Sequence, residues 1–475
     1  MLDLKSKSLL DDIVECYHSR IAGEDNNIKI CFLVGLSKFL PPKMRNHLIV
    51  FGQSSAGKSY LVHNVFSVFD EKDEYEYDQQ IIHLKMEIER LKREMPRNEE
   101  ARRQIEELKK ELLKISNPWS REVIHITRIT KAGIDRAGIN VDGKILLFEQ
   151  IAQTEGEDPT MVNMRALLSE GRLVLVTAER DPETGDFKSV VIPTIGMPVL
   201  VCTSTRYSID PEFENRVVEL SIDESEEQTK NIMQKTAEDF IIPLHFIISK
   251  DRIYEIRQLI KTIKELLDKG EMTNQVIIPY AKLLIEKFPT VLTARRDFKK
   301  ALTLTYAYTF LYQKQRPIIT LKKHNAIVTR FAVSIPEDFE EVCKFAAKTL
   351  YETLTKIKHV EFELLQAIIK NNWYEFTVRD VVAAKIVKYS TRYVRDMLHD
   401  LAEKGYLAEE RKGRAYTYTV VKDPGEIQIM IDDLKVQADG CLNELIAQWQ
   451  KEGYAIEINW PDGRIDVYEP EQKGE

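Results

Sequence analysis

Asn46-His47-Leu48-Ile49-Val50-Phe51-Gly52-Gln53-Ser54-Ser55-Ala56-Gly57-Lys58-Ser59-Tyr60-Leu61 is the stretch on which the fold turns. Leu48 to Phe51 have the length and unbroken apolarity of a strand buried on both faces. The next eight residues fit the spacing G-x-x-x-x-G-K-[ST], and Tyr60-Leu61-Val62 continues as a helix. Glycines at both ends of such a loop let successive backbone N–H groups curl around a phosphate at the positive end of the following helix. On this reading Gly52, Gln53, Ser54, Ser55, Ala56, Gly57, Lys58, Ser59 and Tyr60 surround a nucleotide. Lys58 reaches its β- and γ-phosphates, and the Ser59 hydroxyl ligates Mg2+. ATP and Mg2+ are the expected ligands, against the plainer reading of a glycine-rich turn before an ordinary helix.

Outside this stretch, 475 residues predict two to four domains, and 43% hydrophobic content is enough for real cores. A net charge of −8 excludes a chain that is basic throughout, so any nucleic-acid surface has to be local. The five cysteines, Cys16, Cys31, Cys202, Cys343 and Cys441, show neither CxxC nor Cys/His spacing. They predict a reducing compartment with no disulfide framework and no structural zinc. No run of eighteen apolar residues exists, and Asp3, Asp11 and Asp12 do not fit a signal peptide. The expectation is a soluble, cytoplasmic protein without a membrane partner.

Residues 1–45 read as an N-terminal helical subdomain of two helices, ended by Pro41-Pro42. Residues 46–224 read as the nucleotide-binding core, interrupted over 70–118. In that interruption Ile81, Leu84, Ile88, Leu91 and Met95, and then Ala101, Ile105, Leu108, Leu112 and Ile115, repeat at alternating spacings of three and four. This is a heptad seam broken at Pro96-Arg97-Asn98, hence a coiled-coil helical hairpin. The core resumes with a strand over Glu122 to Thr127, a short helix over Lys131 to Arg136, and Lys144-Ile145-Leu146-Leu147-Phe148-Glu149-Gln150. A buried strand ending in a carboxylate is what a triphosphatase places opposite its phosphate loop. If Glu149 takes the metal-side position, Gln150 stands where a catalytic base is expected; if Glu149 is that base, Phe148 replaces the metal-side acid. The four preceding apolar residues favour the first register, with Glu149 and Ser59 as metal ligands and with Glu155 or Glu157 as substitutes for the base.

Arg172 to Thr177 and Phe187 to Ile192 alternate as a β-hairpin, and Pro198 to Cys202 gives the next core strand before Thr203-Ser204-Thr205. Arg216 follows in Glu212-Phe213-Glu214-Asn215-Arg216. Residues 225–318 have helical periodicity, with Arg295 and Arg296 opening a long amphipathic helix, and 319–358 read as connecting helices.

Several stretches in order resemble the AAA+ helicase-type module of mobile-element and phage primase-helicase proteins, distantly similar to minichromosome maintenance helicases. They are Ser54 to Ser59, Leu167 to Gly171, Asp181 to Gly185, Glu212 to Arg216, Asp223 to Thr229, Ala294 to Asp297 and Gln313 to Arg316, together spanning about residues 28 to 318. The resemblance implies an α/β fold with a P-loop AAA+ ATPase core, a parallel sheet and an α-helical lid over 225–318. It also implies a homo-hexameric ring with ATP hydrolysed at subunit interfaces. Thr203 or Thr205 would sense the γ-phosphate, Arg216 would be an arginine finger, and Arg295 or Arg296 a lid cation. The hairpin would face a DNA channel with Arg180 and Lys188. The Glu149-Gln150 ending and the long insertion depart from the pattern. No primase segment is present, so priming would come from a separate primase or replication protein, for which the coiled-coil arm is a docking candidate.

Residues 359–421 read as helix, helix, helix and hairpin, and resemble a winged helix-turn-helix domain. Arg392 and Arg395 mark its third helix, with Lys388 just ahead of it, and Arg411, Lys412 and Arg414 mark the wing. Such a helix enters the major groove while the wing meets backbone phosphate. The tail, 422–475, carries no functional signal. The expected function is an ATP-dependent DNA helicase or translocase in replication of a mobile element. The alternatives are an ATP-gated initiator or loader with weak hydrolysis, and a transcription regulator.

Overall fold

The computed structural model describes residues 2–95, 98–126, 139–148, 159–180, 186–205, 211–214, 216–241, 252–288, 294–355, 359–384, 390–412, 415–421 and 432–471. The fold is mixed α/β. Its centre is a five-stranded sheet in the order β2-β3-β6-β1-β7, formed by β1 (Leu48–Phe51), β2 (Val123–Ile126), β3 (Ile145–Phe148), β6 (Val199–Ser204) and β7 (Val218–Ser221). Every pairing in it is parallel. β1 lies between β6 and β7, with Leu48 opposite both Val201 and Val218. The chain therefore leaves β1 for the far edge, returns strand by strand, and crosses over β1 to finish at β7. The strand order reverses at β1, and a cleft opens beyond the strand ends at such a point.

β1, β3 and β6 are buried along their whole length, as strands covered on both faces must be. Leu48, Val50, Val199 and Val201 face one large core, which also takes in α1 (Leu9–Tyr17), α2 (Asp25–Leu36), α3 (Lys58–Phe66) and the helices Ile253–Asp268, Ala294–Leu311 and Pro336–Thr355. The N-terminal helices thus share one core with the sheet. Ile49, Phe51, Leu200 and Cys202 face a second core with Met164 and Leu168 of α6 (Pro159–Glu170) and Phe213. β4 (Arg172–Arg180) and β5 (Phe187–Ile195) pair antiparallel as a separate ribbon, which exposes Val174, Val176, Val191 and Ile195.

The interrupted seam folds as two paired helices, α4 (Glu74–Glu94) and α5 (Glu99–Ser116). Leu84, Ile88, Leu91 and Ala101 are the buried positions. Asp73 caps α4 with a capping box to Glu76, and Asn98 caps α5.

The region 319–358 is not a run of connecting helices. β9 (Ile318–Lys323) and β10 (Ala326–Val333) form an antiparallel hairpin turning on His324 and Asn325, both at positive φ, before helix Pro336–Thr355 begins. The residues after 431 are not a free tail. Helix Asp432–Lys451 leads to β14 (Ala455–Asn459) and β15 (Ile465–Tyr468), and β14 pairs with β9. With β8 (Val276–Ile277), which lies inside the span read as purely helical, they make a second five-stranded sheet, β15-β14-β9-β10-β8. The two corrections have different causes. β9 alternates too briefly to register as a strand, although its hairpin partner β10 follows directly, whereas its other partner, β14, lies more than a hundred residues away in sequence.

A third unit holds helices His359–Lys370, Val378–Ala383 and Thr391–Glu403, with a three-stranded sheet of β11 (Glu375–Thr377), β13 (Ala415–Val420) and β12 (Leu407–Lys412). Its own core contains Leu364, Phe376, Val394, Leu398, Leu401 and Tyr418.

Candidate nucleotide site

The Gly52–Ser59 loop leaves the C-terminal end of β1, at the point where the strand order reverses. Its path requires two unusual backbone positions: Ser55 at φ 68° and Gly57 at φ 91°, immediately before the first residue of α3. Gly52 meets a tight approach, since a Cβ there would lie 3.2 Å from Glu224 Oε1 and 3.5 Å from Lys58 Cδ. Gln53, Ser54, Ser55, Gly57, Ser59 and Tyr60 are exposed, Ala56 half-buried, and Gly52 and Lys58 buried. Tyr60 turns its hydroxyl away, donating to the Arg20 carbonyl at 3.0 Å.

Lys58 Nζ donates to the carbonyls of Gly52 at 2.8 Å and Gln53 at 2.5 Å, so the ammonium sits within the turn of the loop. Burial pushes its pKa below the ordinary lysine value, and the Glu224 carboxylate acts in the opposite sense. Glu224 Oε1 also accepts from the backbone N–H of Gln53 at 2.6 Å. A carboxylate thus occupies one of the loop's own anion-binding donors. Glu224 lies in the motif Asp223–Thr229, to which no role attaches from the sequence. Its neighbours tie that motif to the N-terminal helices: Asp223 N–H donates to Glu24, and the Gln228 side chain to the Ala22 carbonyl.

Around the loop, Thr203 is buried on β6 opposite Val50, Ser204 lies opposite Phe51, and Thr205 is exposed beyond the strand. β3 lies next to β6, and Glu149 and Gln150, which follow it, fall outside the described residues, as does the predicted helix Lys131–Arg136. Arg216 lies elsewhere. It precedes β7, at the N-terminal edge of the sheet, where its Nε donates to Ser169 Oγ at 2.9 Å and its Nη1 to the Glu212 carbonyl. Arg165 and Glu212 pair beside it at 2.7 Å. One strand length, about 13 Å, separates that edge from the loop. Arg216 therefore stands apart from this chain's own loop.

Helix Ala294–Leu311 bonds Asn46 at Thr303, and its Lys300 lies 3.8 Å from Glu219, so its contacts climb the sheet toward its own N-terminus. Arg295, in the first turn, is exposed, and the Arg296 side chain lies outside the described set. A loop turning at Ser55 and Gly57 into the start of α3, a lysine at its mouth and the exposed Ser59 fit a magnesium-bound triphosphate, once Glu224 leaves the Gln53 N–H.

Of the residues expected to meet DNA, Arg392 and Arg395 are exposed on helix Thr391–Glu403, opposite its buried Val394, Met397, Leu398 and Leu401. Arg411 is exposed on β12. Lys388 and Arg414 fall outside the described residues, as do the side chains of Arg180, Lys188 and Lys412. Among the described residues no helix is long and apolar enough to cross a membrane, and all five cysteines are free.

No protein-family profile matches the chain, and no curated protein matches it. Among solved structures, a full-length MCM homolog from Methanopyrus kandleri aligns at 10% identity with a TM-score of 0.32, covering 74% of this chain and 60% of that one. The chain thus spans less than two thirds of that protein's length, and a superposition this loose assigns no fold.

Proposed function

We propose that the protein is an ATP-driven motor on DNA, of helicase or translocase type, acting in replication of a mobile element. The observation that carries this reading is the phosphate loop at the end of the central strand. Lys58 is folded into its mouth, and the apolar strand preceding Glu149 lies two places away. When bound, magnesium-ATP supplies the phosphoanhydride whose cleavage drives movement. The loop N–H groups and Lys58 hold and neutralise its phosphates, Ser59 and Glu149 hold the metal, and Thr203 or Thr205 orients the water. Arg295 or Arg296 adds lid charge. The position of Arg216 at the far edge of the sheet favours action in trans, as in a homo-hexamer with nucleotide at subunit interfaces.

DNA is assigned to two surfaces. One is the winged helix unit, through Lys388, Arg392, Arg395, Arg411, Lys412 and Arg414; the other is the β4–β5 ribbon, through Arg180 and Lys188. The α4–α5 coiled coil is assigned to a primase or another replication protein. A second reading, an ATP-gated initiator or loader, is favoured by Gln150 at the expected base position and by Glu224 seated on Gln53.

The test is ATP turnover by the full chain with and without single-stranded DNA, beside Lys58→Ala. Turnover that DNA stimulates and the variant abolishes, by roughly 100-fold or more as loss of a key phosphate contact implies, supports the motor. ATP binding without turnover overturns it in favour of the gated initiator.

A further inference from the structure

Away from the nucleotide loop, three side chains from distant parts of the sequence converge with metal-ligand chemistry. His63 lies on α3, Glu74 opens α4 and His125 is on β2. One donor atom of each lies within 4.8 Å of those of the other two, and all three side chains are half-buried. The two imidazole rings meet edge to face with centroids 4.9 Å apart. They line one small pocket together with Asp70, Tyr77 and Arg121.

The neighbouring groups are already committed. Asp70 accepts from the Tyr77 hydroxyl at 2.7 Å and from the Val123 and Glu122 N–H groups at 2.9 and 3.1 Å. Asp73 caps α4 and faces Arg257 at 3.6 Å. The Lys72 ammonium donates to Gln80. Arg121 lies over the Tyr77 ring at 4.3 Å, with Nη1 3.9 Å from Glu74, beyond hydrogen-bonding distance. Glu74 thus keeps its lone pairs, and the acids Asp70 and Asp73 offset the nearby cations.

We propose that His63, Glu74 and His125 bind one borderline divalent transition-metal cation, of which zinc is the reference. Two imidazoles and a carboxylate, with no thiolate, suit zinc and its neighbours rather than the all-oxygen cations calcium and magnesium. Zinc donors sit about 2.0–2.2 Å from the ion, hence roughly 3.5 Å from one another in a tetrahedron. That closure is within the reach of side-chain rotation and leaves a fourth position for water. The ion would tie the root of the α4–α5 arm to the helix that follows the phosphate loop and to the edge strand of the sheet. The inference does not depend on the nucleotide reading.

The experiment titrates metal-stripped full-length protein, free of nucleotide, with Co2+ and then Zn2+. One Co2+ per chain is expected, with visible absorption of a four-coordinate nitrogen and oxygen site that one equivalent of Zn2+ abolishes, and with a melting temperature raised by Zn2+. His63→Gln and His125→Ala should each weaken binding by more than about 10–100-fold, the range for loss of a mere outer-shell partner. His18→Ala, at the separate His18–Asp25 pair, should leave it unchanged. Absence of stoichiometric cobalt from the wild-type chain overturns the proposal even if a variant fails to fold. So does binding indifferent to both histidine variants, or an intense sulfur-to-cobalt band placing the ion on cysteine.

Discussion

At the residue scale, two side chains at the ends of β1 set opposite kinds of chemistry. His47, just before the strand, is buried, and its Nδ1 accepts from the Leu200 N–H at 3.3 Å. Burial, reinforced by Lys299 and Arg45, pushes its pKa from 6.5 down to about 3. The unfolded chain therefore binds a proton that the folded chain refuses between pH 6.5 and 3, so the contribution of His47 to stability is intact above 6.5 and lost as pH falls. At pH 5 the loss is about 2 kcal/mol. Denaturant melts at pH 7 and pH 5 should show that extra drop in the wild type and not in His47→Asn; equal slopes would refute the assignment. Beyond the strand's other end, Glu224 accepts from the Gln53 N–H, a donor that the proposed reading gives to phosphate. Glu224→Gln removes a negative charge from beside Lys58, and nucleotide should bind roughly tenfold tighter, about 1.4 kcal/mol, by calorimetric titration. Unchanged or weaker affinity would mean that the carboxylate helps hold the ligand instead.

At the element scale, the junction between the large core and the second sheet depends on a buried ion pair. Asp338, fully buried in the first turn of Pro336–Thr355, accepts from Arg316 Nε at 2.9 Å and Nη2 at 2.5 Å. It also accepts from Thr309 at 2.8 Å and the Ile335 N–H at 3.2 Å. Arg316 lies just ahead of β9, so the pair fixes where that strand starts relative to the helix. Removing one partner strands a buried charge, and Arg316→Ala should cost about 3–5 kcal/mol, read as a lowered denaturant midpoint. A joint replacement, Arg316→Met with Asp338→Leu, should recover part of that loss. If the single variant is as stable as wild type, the pair does not organise the junction. The α4–α5 arm shows the opposite economy: Leu84, Ile88 and Leu91 are its buried positions on α4, while the solvent faces carry pairs such as Lys92–Glu89, exposed and of little energetic weight.

At the scale of the whole molecule, the last residues of the chain complete a sheet that begins far upstream. β14 covers β9, with Ile456 opposite Leu321 and Ile458 opposite Ile319, and both isoleucines are buried. Ending the chain after Gly453 would expose the edge of β9 and forgo on the order of 4 kcal/mol of apolar burial from those two side chains. The truncated protein should melt earlier and associate through the bared edge, measurable by calorimetry and light scattering. A monomeric truncation of unchanged stability would show that the second sheet closes without β14.

The strand, loop and helix around Lys58 were legible in the sequence because each is a local pattern: a buried apolar run, two glycines where the backbone must turn, and helical residues after them. The heptad seam of α4 and α5 and the β4–β5 ribbon are local in the same sense. Pairing across long separations was not legible. The join of β14 to β9, the reversal of strand order at β1 and the placing of Arg216 a strand length from the loop follow from how faces are buried against each other. The meeting of Glu224 with Gln53, and of His63 with Glu74 and His125, has no signature at any fixed spacing. Sequence by itself determined which short segments had to be strand, loop or helix, because backbone geometry and apolar periodicity act over a few residues. Only the tertiary structure decided which of those segments became neighbours, because burial of two faces is satisfied by distant partners that no local pattern names.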